Sequence, residues 1–158
     1  MVLPTSGVNS VEEFNEPGVA ESYQNSAIQV GLGVTTIGSR TISCPDDGYV
    51  IAIAGGHCEI GHVVNTDSRI LYGVNDVTGS FATSIGVAGL PSTAPSGNSY
   101  RFPCPFVGVW PVTAGAHTFY LLAQRIGAAN GIVWNDPTLT LLYVPTAYGT
   151  VTGNKAFA

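Results

Sequence analysis

From Ala27 onward the chain is a succession of short segments in which apolar and polar side chains alternate, separated by clusters of turn-forming residues. The segments 41-TISC-44, 69-RILYGV-74, 106-FVGVWPV-112 and 138-TLTLLYV-144 are rich in β-branched and aromatic residues, and 49-YVIAIAGGHCEIGHVV-64 and 117-HTFYLLAQ-124 read as two longer strands. Such a period of two puts successive side chains on opposite faces of a strand. Between the segments stand Pro45-Asp46-Asp47-Gly48, Asn65 to Ser68, Asn75-Asp76, Pro91 to Asn98, Thr113-Ala114-Gly115 and Asn135-Asp136-Pro137, all of residue types that favour turns. No stretch of 12 residues combines helical periodicity with freedom from Gly and Pro. About eight to ten short strands joined by turns predict an all-β sandwich, jelly roll or barrel.

Residues 1–26 break this pattern. They hold Glu12, Glu13, Glu16 and Glu21, with Pro4 and Pro17 and little apolar periodicity, and predict an irregular arm with at most a short helix around Val11 to Phe14. The expected organisation is an arm over 1–26, a β domain over 27–145 and an extension over 146–158. At 158 residues one domain with a core of its own is expected. Five basic and ten acidic side chains leave a surface covered mainly by Ser, Thr, Asn, Gly and apolar atoms, with Lys155 the sole lysine. A surface so poor in charge is explained by burial between subunits. The net charge of −5 and the scattering of Arg40, Arg69, Arg101 and Arg125 argue against a nucleic-acid partner. No apolar run reaches the ~18 residues of a membrane span. The N-terminus has neither the basic start nor the apolar stretch of a secretory signal. Abundant Gly, Thr and Val with almost no lysine leans toward an extracellular, cell-surface or virion location. Three cysteines leave at least one unpaired, with one bridge among Cys44, Cys58 and Cys104 open.

The densest chemistry lies in 56-GHCEIGH-62, with two of the three histidines, a cysteine and a carboxylate. On a strand His57 and Glu59 share one face while Cys58, Ile60 and His62 share the other. Cys58 and His62 would stand about 13 Å apart along the strand, too far for ligands of one zinc ion. A metal reading therefore needs His57 and Glu59 with His117 from another strand, or with symmetry copies. Gly55-Gly56 suggests a bulge, which would reverse the facing. Asp46 and Asp47, with Asp67 and Asp76, are candidates for calcium held by turn carboxylates and carbonyls. The chain has no Gly-x-Ser-x-Gly elbow, no His near Cys44 or Cys104 in sequence and no phosphate loop, so catalysis is not expected. Trp134 and Tyr100 stand beside turn residues and are candidates for stacking on a sugar.

The order Cys44-Pro45-Asp46-Asp47-Gly48-Tyr49-Val50, then Val112 to Leu121, then 139-LTLLY-143, resembles the jelly-roll heads of the tumour necrosis factor and complement globular-head superfamily over residues 28–145. Those heads carry a Pro-x-x-Gly-x-Tyr turn and strand, a Gly-x-x-x-x-Leu unit and a closing aromatic strand in similar places. Asn15 to Ala20 and Val144 to Val151 look like segments of bacterial and phage-associated jelly-roll proteins without known activity. The superfamily resemblance implies a homotrimer packed along an aromatic, charge-poor axis, with Tyr49, Phe119, Tyr120, Tyr143 and Tyr148 as interface residues. The expected function is a non-enzymatic module that self-associates. The alternatives are a subunit of a surface filament, capsid decoration or tail appendage, and a carbohydrate-binding head facing a glycan or host surface.

Overall fold

The computed structural model describes residues 18–23, 27–82, 85–127 and 130–146. The expected helix near Val11, the arm over 1–17, Tyr148 and the extension from 147 lie outside them. The described residues form ten strands: β1 (Gly18–Tyr23), β2 (Ile28–Gln29), β3 (Thr35–Cys44), β4 (Gly48–His62), β5 (Ser68–Asn75), β6 (Gly86–Leu90), β7 (Gly97–Pro103), β8 (Phe106–Val112), β9 (Gly115–Gly127) and β10 (Ile132–Pro145). All pairings are antiparallel.

One sheet runs β1-β10-β4-β7, with β8 also on β4 and the short β2 on β10; the other runs β3-β9-β5-β6. β7 and β8 occupy one edge position, because β7 pairs with the second half of β4 and β8 with the first. With those two counted as one, the strands interleave between sheets as two Greek keys, the jelly-roll arrangement. The expected β domain is thus a jelly-roll β-sandwich. Residues 18–23, which the sequence places in the arm, form β1 instead and pair with Thr138–Tyr143 of β10. Polar side chains and a single short stretch hid this strand, whose backbone takes its partner from more than a hundred residues away.

The core is where the inward faces meet. Along β4 the even-numbered Val50, Ala52 and Ala54, then Cys58 and Ile60, are buried, while Ile51, Ile53, His57 and Glu59 are not. The inward parity is the same on both sides of Gly55-Gly56. The bulge lies on β10, where Asp136 and Pro137 together face one residue of β4. Asp136 has φ 50° and Gly56 φ 133°. Thus the expected turn at Asn135-Asp136-Pro137 is an irregularity inside one strand: the extra residue and the missing proline N–H are absorbed without ending the ladder. A Cβ on Gly56 would lie 2.4 Å from Trp134 Nε1 and 2.9 Å from the Asn135 carbonyl, so only glycine fits.

The turn before β4 is closed from inside the sandwich. Tyr143 buries its ring and donates its hydroxyl to the Asp46 carbonyl at 3.0 Å. A Cβ on Gly48 would meet that ring at 2.6 Å, which explains the glycine of the Pro-Asp-Asp-Gly turn. Tyr143→Phe keeps the ring and removes only the hydroxyl, so that the Asp46 carbonyl loses this donor; we expect a loss of about 1 kcal/mol in urea unfolding.

Burial pushes Tyr143 and Tyr72 above the ordinary tyrosine range. Their folded-state values being raised, the neutral forms are favoured by folding. That stability is fully present below the unfolded value of about 10 and is lost as pH rises beyond it. Thermal melts should therefore be unaffected by these groups from pH 7 to about 9 and fall at higher pH, and Tyr72→Phe should flatten that fall.

Candidate functional site

The outward sides of the two sheets differ in kind. On the β3-β9-β5-β6 sheet the outward face is mixed: Thr41 and Thr118 hydrogen-bond to each other at 2.8 Å, and Val87 stands exposed beside Leu71. On the other sheet, register aligns apolar residues in rows. One row is Val19, Leu142, Ile51 and Val109 across β1, β10, β4 and β8. The next is Glu21, Thr140, Ile53 and Val107, and the third is Val144, Tyr49 and Pro111. Val19 is 67% exposed, Val107 65% and Ile53 47%. Between the turn at Gly48 and the bulge at Gly56, Glu21 on the edge strand is the sole charged side chain on this face among the described residues. Contiguous exposed apolar surface of this kind is a candidate interaction site.

Of the expected interface residues, Tyr49 lies on this face and is half-buried. Tyr120 is half-buried on the other sheet. Phe119 and Tyr143 are 1% exposed and belong to the core, so they present nothing to a partner. Phe119 packs edge-on against Trp110, with ring centroids 5.4 Å apart. The sequence does carry a signal for the face itself. In 49-YVIAIA-54 and 106-FVGVWPV-112 both parities are apolar, the mark of a sheet covered on two sides.

Beyond the bulge the same sheet turns polar. Arg101 pairs with Glu59 at 2.7 Å, Ser99 donates to Glu59 at 3.2 Å, and His57 Nδ1 stands 3.9 Å from Asp136. His117 is in the other sheet and donates from Nε2 to the Thr113 carbonyl at 2.8 Å. It lies near the start of β4, because Asp47 accepts from the neighbouring Ala114 N–H at 3.3 Å. His57 is nine residues further along, about 30 Å at the strand rise. His57, Glu59 and His117 therefore do not converge. Asp46 accepts from the Asp47 N–H at 2.8 Å, so both turn carboxylates are engaged in shaping the turn. Asp47, Asp76 and His117 share an open groove of about 530 Å³. Among the described residues no three His, Cys, Asp or Glu side chains are placed to hold a metal ion.

The inward members of Gly56 to His62 are structural. His62 is buried, with Nε2 3.1 Å from the Ala94 carbonyl and Nδ1 3.0 Å from the Ser68 hydroxyl. A carbonyl only accepts, so Nε2 carries a hydrogen; in the neutral ring Nδ1 accepts from Ser68. His62 thus ties the loop before β7 to the sandwich. His62→Ala should cost about 2–4 kcal/mol, measured by urea unfolding, and make the segment 91–96 more sensitive to limited proteolysis.

The sugar-stacking pair is also placed differently from expectation. Trp134 is 0% exposed and is the third residue of β10, edge-on to Tyr72 at 5.7 Å. It cannot stack on a ligand, because the strand continues through the turn expected beside it. Tyr100 is half-buried and donates its hydroxyl to the Pro95 carbonyl at 2.9 Å.

No family model matches the chain, and no curated protein matches it. Among solved structures it is similar to that of the infectious bursal disease virus Gx strain, at 14% identity and TM-score 0.44, over 85% of this chain and 33% of that one. It is similar also to the crystal structure of the infectious bursal disease virus VP2 subviral particle, at 12% identity and TM-score 0.45, over 85% and 34%. A structure of T=1 particles derived from the same virus is 12% identical with TM-score 0.37, over 91% and 39%. The chain spans between a third and two-fifths of the length of these solved chains.

Proposed function

We propose that this protein is a non-enzymatic structural module that associates with further copies of itself through the outward face of the β1-β10-β4-β8 sheet. The observation that carries the reading is the alignment of Val19, Ile53, Val107 and Val109, four of the nine large apolar residues exposed among the described ones, on one nearly charge-free surface. Burying such a face stabilises an assembly at about 25 cal/mol per Å² before the cost of association. A salt-bridged rim is available at its polar end, where Glu59 and Arg101 stand.

The favoured assembly is a trimer, in keeping with the resemblance of the chain to trimeric jelly-roll heads. A virion or cell-surface setting suits a protein whose surface is covered by hydroxyls and small apolar side chains. A subunit of a surface filament, capsid decoration or tail appendage is the same reading with an assembly that does not close at three. Light scattering on a sizing column decides among these. A mass near three times 16.3 kDa supports the closed trimer, a larger or polydisperse mass supports the open assembly, and a monomer at micromolar concentration overturns self-association.

A further inference from the structure

The three cysteines are all buried and all free thiols. They are not equivalent. Cys44 ends β3 beside the turn that leads into Gly48, and Cys58 lies ten residues further on, about 33 Å along β4. Cys104 stands between β7 and β8, on the strand position that pairs with β4. Cys58 faces Phe102 across that ladder, and the Cys104 N–H donates to the Gly56 carbonyl at 3.0 Å. Cys58 and Cys104 are thus diagonal neighbours, both directed into the core and both 0% exposed. The two thiols are close enough to influence each other's ionisation, and the Cys104 thiol donates to the Phe102 carbonyl at 3.6 Å.

We propose that Cys58 and Cys104 form a dithiol site that a small-molecule disulfide oxidises to an intramolecular disulfide, joining the edge strand β7–β8 to β4 while Cys44 stays reduced. Two features beyond proximity support it. The first is asymmetry: the neighbouring Cys104 side chain holds the Cys58 thiol below its ordinary value, while the Cys58 side chain and burial push Cys104 up. Cys58 is therefore the attacking thiolate and Cys104 the resolving thiol. The second is access. β7–β8 is an edge strand, and Pro103 and Pro105 have no N–H, so Cys104 supplies the single backbone donor in that stretch. Local opening there exposes both sulfurs without unfolding the sandwich.

The chemistry balances with a disulfide such as oxidised glutathione. The Cys58 thiolate attacks one glutathione sulfur, the glutathione S–S bond breaks, and a mixed disulfide forms as one glutathione thiolate leaves. The Cys104 sulfur then attacks Cys58, releasing the second glutathione, and its proton passes to a leaving thiolate. One disulfide is reduced to two thiols and two protein thiols become one disulfide.

The test uses the wild-type full chain incubated with oxidised glutathione, quenched in acid, unfolded, alkylated with N-ethylmaleimide and analysed by intact mass and peptide mapping. We expect one alkylated cysteine, Cys44, a cross-linked peptide pair containing Cys58 and Cys104, full reversal by dithiothreitol and a higher melting temperature of the oxidised form. Three alkylated cysteines, a bridge through Cys44, a bridge between chains, or a stable glutathione adduct in the wild type would each overturn the proposal. In Cys104→Ser, oxidation should stop at a glutathione adduct on Cys58; an unmodified Cys58 in folded Cys104→Ser overturns its assignment as the attacking thiol. Should that variant fail to fold, the wild-type map decides alone.

Discussion

Ile53→Lys is expected to abolish the proposed self-association, leaving a monomer, with little change in the melting temperature of the chain itself. Ile53 points outward in the row of the apolar face nearest the bulge, between Thr140 and Val107, and is 47% exposed in the isolated chain. Lysine is accommodated there in a monomer, since its stem lies along the sheet and its ammonium reaches water. In an interface the same ammonium is stripped of water without a partner, and symmetry brings a copy from each subunit. An unpaired buried charge costs several kcal/mol. At about 1.4 kcal/mol per tenfold change, association should weaken by about 10³-fold or more. Sizing by light scattering against wild type reads the outcome, with Thr41→Lys on the opposite sheet as the control that leaves the mass unchanged. An Ile53→Lys protein with wild-type mass would place the interface elsewhere and remove the functional reading given to this face.

Trp134→Ala is expected to be the most destabilising single substitution, at about 3–5 kcal/mol. The side chain is fully buried, lies across the ladder from Cys58, and meets Tyr72 edge-on. The cavity it leaves is bounded by strands of both sheets and cannot close without moving the ladder. Since domains of this size unfold at a total of about 5–15 kcal/mol, urea unfolding should show a large part of the stability gone. The melting temperature should drop by about 10 °C. A variant that instead kept its unfolding midpoint and lost only binding to a glycan would restore Trp134 to the role that its place beside Asn135-Asp136-Pro137 suggests.

The contrast between Trp134 and Ile53 shows where local pattern stops being informative. Alternation placed His57 and Glu59 outside and Cys58, Ile60 and His62 inside, and the structure agrees, because the pleat of one strand is a local property. The bulge at Gly56 leaves this parity intact, since the extra residue belongs to β10. Trp134 was misjudged for the complementary reason. Asn, Asp and Pro in succession resemble a turn, and whether they end a strand or bulge within it depends on what lies opposite, here Gly56 with a backbone that only glycine adopts comfortably. The metal grouping of His57, Glu59 and His117 joined residues by chemical type, whereas the topology sets His117 at the opposite end of the sandwich.

From the residues alone came the all-β class, the main strands, most of the turns and the division of His57 to His62 between the two faces of β4. These follow from backbone preferences and from burial of one side chain in two, both written within a few residues. The tertiary structure alone decided that residues 18–23 add a strand to β10, that Phe119 and Tyr143 are core and Ile53 and Val107 are surface, and that Cys58 meets Cys104 while Cys44 does not. Each of those depends on which strands lie side by side. Pairing is chosen by the burial of the whole sandwich between residues as far apart as Gly18 and Tyr143, and no local segment encodes it.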